Sequence, residues 1–546
     1  MLMKPTKKKF PAAAAVVLAA VILTVCMLPA GCSPGKATTM WFEPPTKKVL
    51  RGDAPGTRSS FTVYMAGEEY EGCQAVFKYD YFTGPVTVSV TQPVSASGAT
   101  LNASLYAEHY VPTVYSVPFF NETLHGKTED YPDGLSPLTG DIEFYSNSAT
   151  PVYILFDSHG AEPGDYTATV TATCNGEVLD SGEVKIHVWN FSLPAAKTMK
   201  VTAGLDETRL GQTTKEADAA DRKATYVEYW KYLLDHNVCP FRLPYDILDE
   251  RADEFLNDPR LTVFEVPSNE SDDTIRQYYQ KLSANPEWLE KSYFYPLDEP
   301  SDQNGYLAII SAGERLTAIF PEFRMCVPFF ANPDMGEQGD GIDVASRYVN
   351  IWCPKLHCFD QENIYSTKQA ATKQPFAERM LAEKAEGDDL WWYVCWEPGE
   401  PYCNLYVNMP GVRHRSIFWQ ADLYGVEGFL FWSVNYWSEV YSPWEDMATV
   451  KNLSPYVYGD GSLMYPGNLI GVNGPCSSLR LEAVRDGVDD YEMIAMARNL
   501  GIPEQTIRKV VNLVAKSITD YSDNDDDIQR ARIVLATLIE KKLAEG

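Results

Sequence analysis

Basic residues are scarce in this chain: 46 Lys and Arg stand against 75 Asp and Glu, a formal net charge of −29. Proteins hold nucleic acid by neutralising phosphates with cations, so so acidic a chain excludes a nucleic-acid partner. Its seven histidines, His109, His125, His159, His187, His236, His357 and His414, form no HExxH and no close pair, which leaves a zinc hydrolase unsupported. There is no phosphate loop, no dinucleotide fingerprint and no G-x-S-x-G elbow. Neither a metal nor a cofactor is therefore expected. Of 11 cysteines, Cys26 and Cys32 lie in an N-terminal leader, and the other nine are scattered without metal-site or redox spacing. They read as small buried hydrophobes, with Cys395 and Cys403 as the one pair that an oxidising compartment would let bridge. The acidic run Asp523–Asp527 lacks the central Gly and terminal Glu of a calcium loop and reads as a solvated turn opening a helix. No tandem repeat is present.

What the chain does have is enough apolar material, 45% of 546 residues, to fill the cores of two or three domains. Lys4, Lys7, Lys8 and Lys9 precede an uncharged run from Phe10 to Leu28 and then small residues, the order of an export signal. Leu28-Pro29-Ala30-Gly31-Cys32 resembles the end of a bacterial lipoprotein signal, with Cys32 as the lipidated residue and Pro29 where an aliphatic residue is usual. An extracytoplasmic lipoprotein, touching membrane only through that lipid, is the expectation. Ordinary secretion and a retained membrane anchor are the alternatives, the run being about long enough to span a bilayer. Residues 1–32 are set aside as this signal.

Residues 33–195 alternate apolar and polar positions in short segments such as Pro85–Val90 and Asp165–Thr171, broken by Gly, Pro and Asn, which predicts an all-β sandwich ending in a strand over Gly182–Trp189. Over 196–475 the rhythm changes. Eight apolar runs, Met199–Leu205, Val238–Pro244, Leu261–Pro267, Ser292–Asp298, Phe323–Phe329, Tyr348–Pro354, Leu390–Trp396 and Gly428–Val434, are separated by helix-like stretches, among them Tyr226–His236, Leu307–Ile319 and Val412–Leu423. Eight such alternations predict a (β/α)8 TIM-like barrel, with an open doubly wound sheet as the competing fold. Residues 476–546 carry helical stripes, Ile507, Val510, Val511, Val514, Ile518 and then Ile528, Ala531, Leu535, Leu538, and predict a C-terminal helical region. The fold class is thus multidomain: sandwich, barrel, helical extension.

The fourth run ends in Asp298-Glu299-Pro300. Charge at the end of a buried strand is costly without a task, and strand ends at the mouth of a barrel carry catalytic groups. Pro300 biases Glu299 toward extended backbone. The plainer alternative is that one of the two acids caps the next helix or pairs with an Arg. Seven of 12 tryptophans fall in or just after the last three runs. Trp352, Trp396, Trp432 and Trp437 are candidates for stacking on a sugar ring, with Asn435 and Tyr436 to bond its hydroxyls, while alternation sends at least one of Trp391 and Trp392 into packing. Trp444 belongs to the same cluster.

Several stretches together, Tyr70–Gln74, Leu297–Pro300, Gly425–Trp432, Gly459–Gly467 and Arg480–Glu492, resemble glycoside hydrolase family 123, the bacterial β-N-acetylgalactosaminidase-like group with an N-terminal β-sandwich, a catalytic barrel and a C-terminal extension. The last two stretches suit turns and helix entry, hence fold. The resemblance implies substrate-assisted retention: the sugar's own acetamido carbonyl attacks its anomeric carbon, Glu299 acts as acid and then base, and Asp298 holds the acetamido N–H. Glu397, in Trp396-Glu397-Pro398 after the seventh run, opens a second reading in which Glu299 and Glu397 are the acid/base and nucleophile of a two-carboxylate retaining glycosidase. The partner is then a glycan or glycoconjugate. A non-catalytic glycan-binding surface lipoprotein and a purely structural surface protein are the readings from other classes.

Overall fold

The computed structural model describes residues 38–113, 129–214, 219–360, 375–437, 442–448 and 457–545. The expected signal and Cys32 lie outside them. Among the described residues up to Ser192 the regular structure is all strand, as the period-two pattern demands. Strands Thr38–Glu43, Tyr70–Tyr79, Thr150–Asp157, Asn102–Pro112 and Asp130–Pro137 form one antiparallel sheet in that order. Strands Ser60–Gly67, Glu177–Ser192, Gly164–Cys174, Gly84–Val90 and Ile142–Phe144 form the second. Val86 and Val88 point inward while Thr87 and Ser89 face solvent, the alternation written in the sequence. Phe77, Phe144, Ile154, Val170 and Ile186 from both sheets share one core between them.

The chain then builds the parallel part. All eight apolar runs contain a strand, from Lys200–Ala203 to Gly428–Phe431, and helices Ala219–Asp235, Asp272–Leu282, Gln303–Ile319, Phe376–Ala385 and Gly411–Leu423 occupy the expected intervals. Six of the strands make one curled sheet, an open half-barrel, in which Lys200–Ala203 lies between Cys239–Pro240 and Gly428–Phe431. Phe264–Val266 and Ser292–Phe294 pair separately with each other. Main-chain bonds reach across the joins, Glu265 N–H to Phe241 O at 2.6 Å and Phe294 N–H to Arg324 O at 2.7 Å, the second beside an isolated bridge from Phe294 to Met325. The sequence expected one continuous eight-stranded ladder; strands of only two to four residues at the joins leave too few pairs to extend it.

The end of the chain belongs to both halves. Strands Tyr465–Pro466 and Pro475–Ser478 extend the first sandwich sheet beside Asp130–Pro137. Ser478 then caps a 21-residue helix, Leu479–Asn499, its hydroxyl accepting Leu481 N–H at 3.0 Å. That helix is buried on nearly every side, charges included. Arg415 bonds Glu71 at 2.9 Å and Asp490 at 2.7 Å, and Arg532, from the last helix Asp525–Glu545, bonds Glu69 at 2.6 Å as well as Asp490. The Arg480–Glu492 stretch was read as turn and helix-entry chemistry; its charges instead sit along the helix in buried ion pairs. Ile507, Val510, Val511, Val514, Ile528, Ala531 and Leu535 line a shared core with Trp189 of the sandwich. The run from Asp523 leads into the first turn of that last helix, where Asp525, Asp526 and Asp527 favour its positive end.

Candidate active site

Strand Ser292–Phe294 is apolar and fully buried, and the chain leaves it as Tyr295-Pro296-Leu297-Asp298-Glu299. Asp302, not Asp298 or Glu299, caps the following helix, its carboxylate accepting Gly305 N–H at 2.9 Å. The capping alternative for the two acids is thereby removed. Asp298 sits at the exposed edge and accepts the Tyr295 hydroxyl at 2.6 Å. Desolvation at this strand end raises its carboxyl above the ordinary range against the pull of Tyr295, and the neighbouring Glu299 adds to the rise.

Glu299 has a φ of 44°, the left-handed region, rather than the extended backbone that Pro300 favours. A non-glycine residue there stores about 1–3 kcal/mol, which surrounding contacts have to hold. They are visible: the Tyr393 hydroxyl donates to Oε1, and Lys355 Nζ lies 3.4 Å from the same oxygen. Lys355 also lies 3.5 Å from Glu397 Oε2, so the fourth and seventh strand ends meet through one ammonium. The Lys355 side chain is 3% exposed, against 32% for Glu299 and 24% for Glu397. Lys355 and Tyr393 are bridge partners on neighbouring parallel strands, which sets both side chains at the same level. Burial lowers the Lys355 pKa, but Cys395, Glu299 and Glu397 together outweigh it and leave the ammonium above its ordinary value.

The aromatic candidates divide. Trp396 and Tyr436 are exposed, and Trp432 is half-buried. Tyr436 lies between the Trp432 ring, 4.7 Å away, and the Arg209 guanidinium, 4.1 Å away. Trp432 donates its indole N–H to Asp460 at 2.9 Å. Burial raises the Asp460 carboxyl to about 7, despite that bond and the attraction of Arg480. Trp352 is a correction: it points to the opposite face of its strand from Lys355, is buried, and donates to Asp388 at 2.8 Å. Trp437 is another, buried with its N–H on Met464 O at 3.0 Å. So is Asn435, whose amide is fully used by the main chain of Asp206, at 3.0 and 2.9 Å, tying the first strand's exit to the eighth's. Trp391 and Trp392 are both core, and Trp444 donates to Pro466 O at 2.9 Å. Cys395 and Cys403 are free buried thiols, as are Cys73, Cys239, Cys326, Cys353, Cys358 and Cys476.

The sequence reading missed Lys355, Tyr393, Arg209 and Asp460. For Lys355 the signal was present, a lone charge closing the apolar run Tyr348–Pro354, the same signal that marked Asp298. The other three gave no comparable mark. Chemically, the cluster offers two acids of unlike surroundings, the Lys355 ammonium and an aromatic wall, a set suited to acid/base work on a sugar.

Residues 351–497, which hold Lys355, Tyr393, Glu397, Trp432 and Asp460, match the family model described as glycoside hydrolase 123, catalytic domain. Over that stretch the chain is similar to a glycoside hydrolase 123 catalytic domain. Asp298 and Glu299 precede the matched stretch of this hydrolase. Its fold is shared with a family 123 glycoside hydrolase from Clostridium perfringens, studied for glycolipid glycan hydrolysis, at a TM-score of 0.64 and 14% identity, over 93% of this chain and 98% of that one. A family 39 glycoside hydrolase from the gut symbiont Bacteroides cellulosilyticus aligns at a TM-score of 0.31 and 8% identity, over 81% and 82% of the two chains. No curated protein matches this sequence.

Proposed function

We propose that this glycoside hydrolase removes terminal β-linked N-acetylgalactosamine, or a related 2-acetamido sugar, from glycans or glycoconjugates with retention and by substrate assistance. The observation that carries the reading is the Asp298-Glu299 doublet: one acid tied to Tyr295 at the exposed edge, the other held by Tyr393 and Lys355. In the first step the acetamido carbonyl oxygen bonds to C1 as the C1–O glycosidic bond breaks, and the leaving oxygen takes the proton of Glu299. Asp298 accepts the acetamido N–H and balances the positive charge that spreads over the five-membered ring. In the second step Glu299 takes a proton from water as its oxygen attacks C1, and the acetamide is restored. Trp396, Trp432 and Tyr436 supply the wall for the sugar's C–H face. The eight parallel strands act here as one (β/α)8 barrel, with the site at their C-terminal ends. Action on glycolipid glycans, reported for the Clostridium perfringens protein, fits an enzyme exported and held at the cell surface through Cys32.

The test is hydrolysis of an aryl β-N-acetylgalactosaminide beside its glucosamine and unacetylated galactose analogues. Glu299→Gln is expected to lose about 10²–10⁴ in kcat while still binding. Equal rates on the unacetylated galactoside would remove the acetamide from the mechanism. One observation favours a second reading, in which Glu397 is a nucleophile: it shares Lys355 with Glu299, as a two-carboxylate pair flanking one bond would. Azide rescue of Glu397→Gly would select that reading.

A further inference from the structure

We propose that Lys355 is a positioning residue divided between Glu299 and Glu397, and that Glu397 serves as its resting partner, drawing the ammonium away while Glu299 carries the proton. The proposal rests on Glu299 as the acid/base and assigns Glu397 an electrostatic task instead of a nucleophilic one. Three observations lead to it. Lys355 Nζ stands almost equally far from the two carboxylates, 3.4 Å from Glu299 and 3.5 Å from Glu397. Ring faces also stand around it, Phe330 at 4.6 Å, Tyr393 at 5.6 Å and Trp396 at 6.0 Å, which attract a cation but take no proton. Its stem is sealed in the strand wall at 3% exposure, so the ammonium swings over a short arc and cannot leave for solvent.

The other titratable groups facing this cluster are Asp298, Tyr393, Cys395, His357, Cys358 and Asp460. His357, lowered by burial to about 4, is neutral near pH 7, and the Cys358 and Cys395 thiols, raised by burial to about 12, are neutral as well. Burial also keeps the Tyr393 phenol protonated. Among these groups Lys355 is thus the one cation available when Glu299 gives up its proton. In the first half-reaction that proton goes to the leaving oxygen, Glu299 becomes an anion, and the ammonium shifts its weight from Glu397 to Glu299. In the second, Glu299 takes a proton from water and the shift reverses. Lys355 keeps all three of its protons throughout.

The experiment is the pH profile of kcat/KM on an aryl 2-acetamido β-galactoside for wild type, Lys355→Met, Lys355→Arg and Glu397→Gln, with Glu299→Gln as a control. Losing the cation favours protonated Glu299, so Lys355→Met moves the alkaline limb up by about 1 pH unit, with kcat down about tenfold. Losing the competing anion leaves the ammonium to Glu299, so Glu397→Gln moves the limb down by about half a unit, with kcat within about fivefold of wild type. Lys355→Arg brings the limb back toward wild type. Limbs that coincide within ~0.2 unit, or that move in the same direction, overturn the proposal. So does a Glu397→Gln variant without turnover whose glycine counterpart azide rescues. Wild-type turnover in Glu299→Gln instead overturns the acid/base reading beneath it. If Lys355→Met does not fold, the sign of the shift in Glu397→Gln decides alone.

Discussion

Asp460 offers a measurement that is independent of any substrate. It is buried, its Oδ1 accepts the Trp432 indole N–H at 2.9 Å, and its Oδ2 has no hydrogen-bond partner among the described residues. Its pKa stands at about 7 in the folded protein, raised by burial from 3.8. Between those values the unfolded chain has released the proton and the native state still holds it. The native state therefore binds more protons, and stability falls as pH rises, by about 1.4 kcal/mol per pH unit for this one group. From about pH 5 to about pH 7 the loss approaches ~3 kcal/mol, and it levels off above the native pKa. Asp460→Asn keeps an oxygen for the Trp432 N–H and cannot ionise. Urea unfolding of wild type and variant at a series of pH values isolates the effect, because all other titrating groups are common to both. The variant is expected to gain on wild type steadily from about pH 5 to about pH 7, up to ~3 kcal/mol. A difference that stays constant within ~0.5 kcal/mol across that window would refute a native Asp460 that is protonated at mildly acid pH.

Arg415→Met strands the carboxylates of Glu71 and Asp490, both fully buried, and should cost about 3–5 kcal/mol in urea unfolding; a loss under about 1 kcal/mol would mean that Arg532 alone satisfies them. Gly461 has a φ of 72°, and a Cβ there would lie 2.3 Å from the Trp432 ring. Gly461→Ala should therefore push that ring from its place and raise KM about tenfold with a smaller change in kcat, read by steady-state kinetics, whereas an unchanged KM would take Trp432 out of the binding wall.

The eight parallel strands were legible because strands buried on both faces read as apolar runs, and the place of the two acids just beyond the fourth was legible in the same pattern. Ladder continuity was not, since a two-residue strand such as Cys239–Pro240 leaves no periodic trace of which neighbour it pairs with. Trp352 and Trp437 read like Trp396 and Trp432 because composition alone does not say which face of a strand a residue takes. One residue of register separates Trp352 in the core from Lys355's side of the same strand. The buried charges of Leu479–Asn499 were misread for a related reason. Arg and Asp in a helix normally mark a solvated face, and the partners that reverse that meaning, Glu69 and Glu71, lie some four hundred positions earlier in the chain.

That same helix explains how the sandwich bears on the site. Arg480, fully buried in its first turn, holds Asp133 of the sandwich by two bonds of 2.8 Å and gives a third, of 2.7 Å, to Gly459 O. Gly459 opens the turn that presents Asp460 to Trp432, and Gly461 O in the same turn accepts Tyr436 N–H at 2.8 Å. Strands Tyr465–Pro466 and Pro475–Ser478, just beyond, are laid onto the sandwich sheet. The turn is thus fixed from the sandwich side at both ends, while the carboxylates opposite are fixed by the parallel strands. Under the proposed function a wall for a rigid ring has to be held against the acids to within about half an ångström, which rigid elements supply better than loops. The sandwich is therefore a working part of the site's support, and the buried arginines are what join its frame to that of the acids.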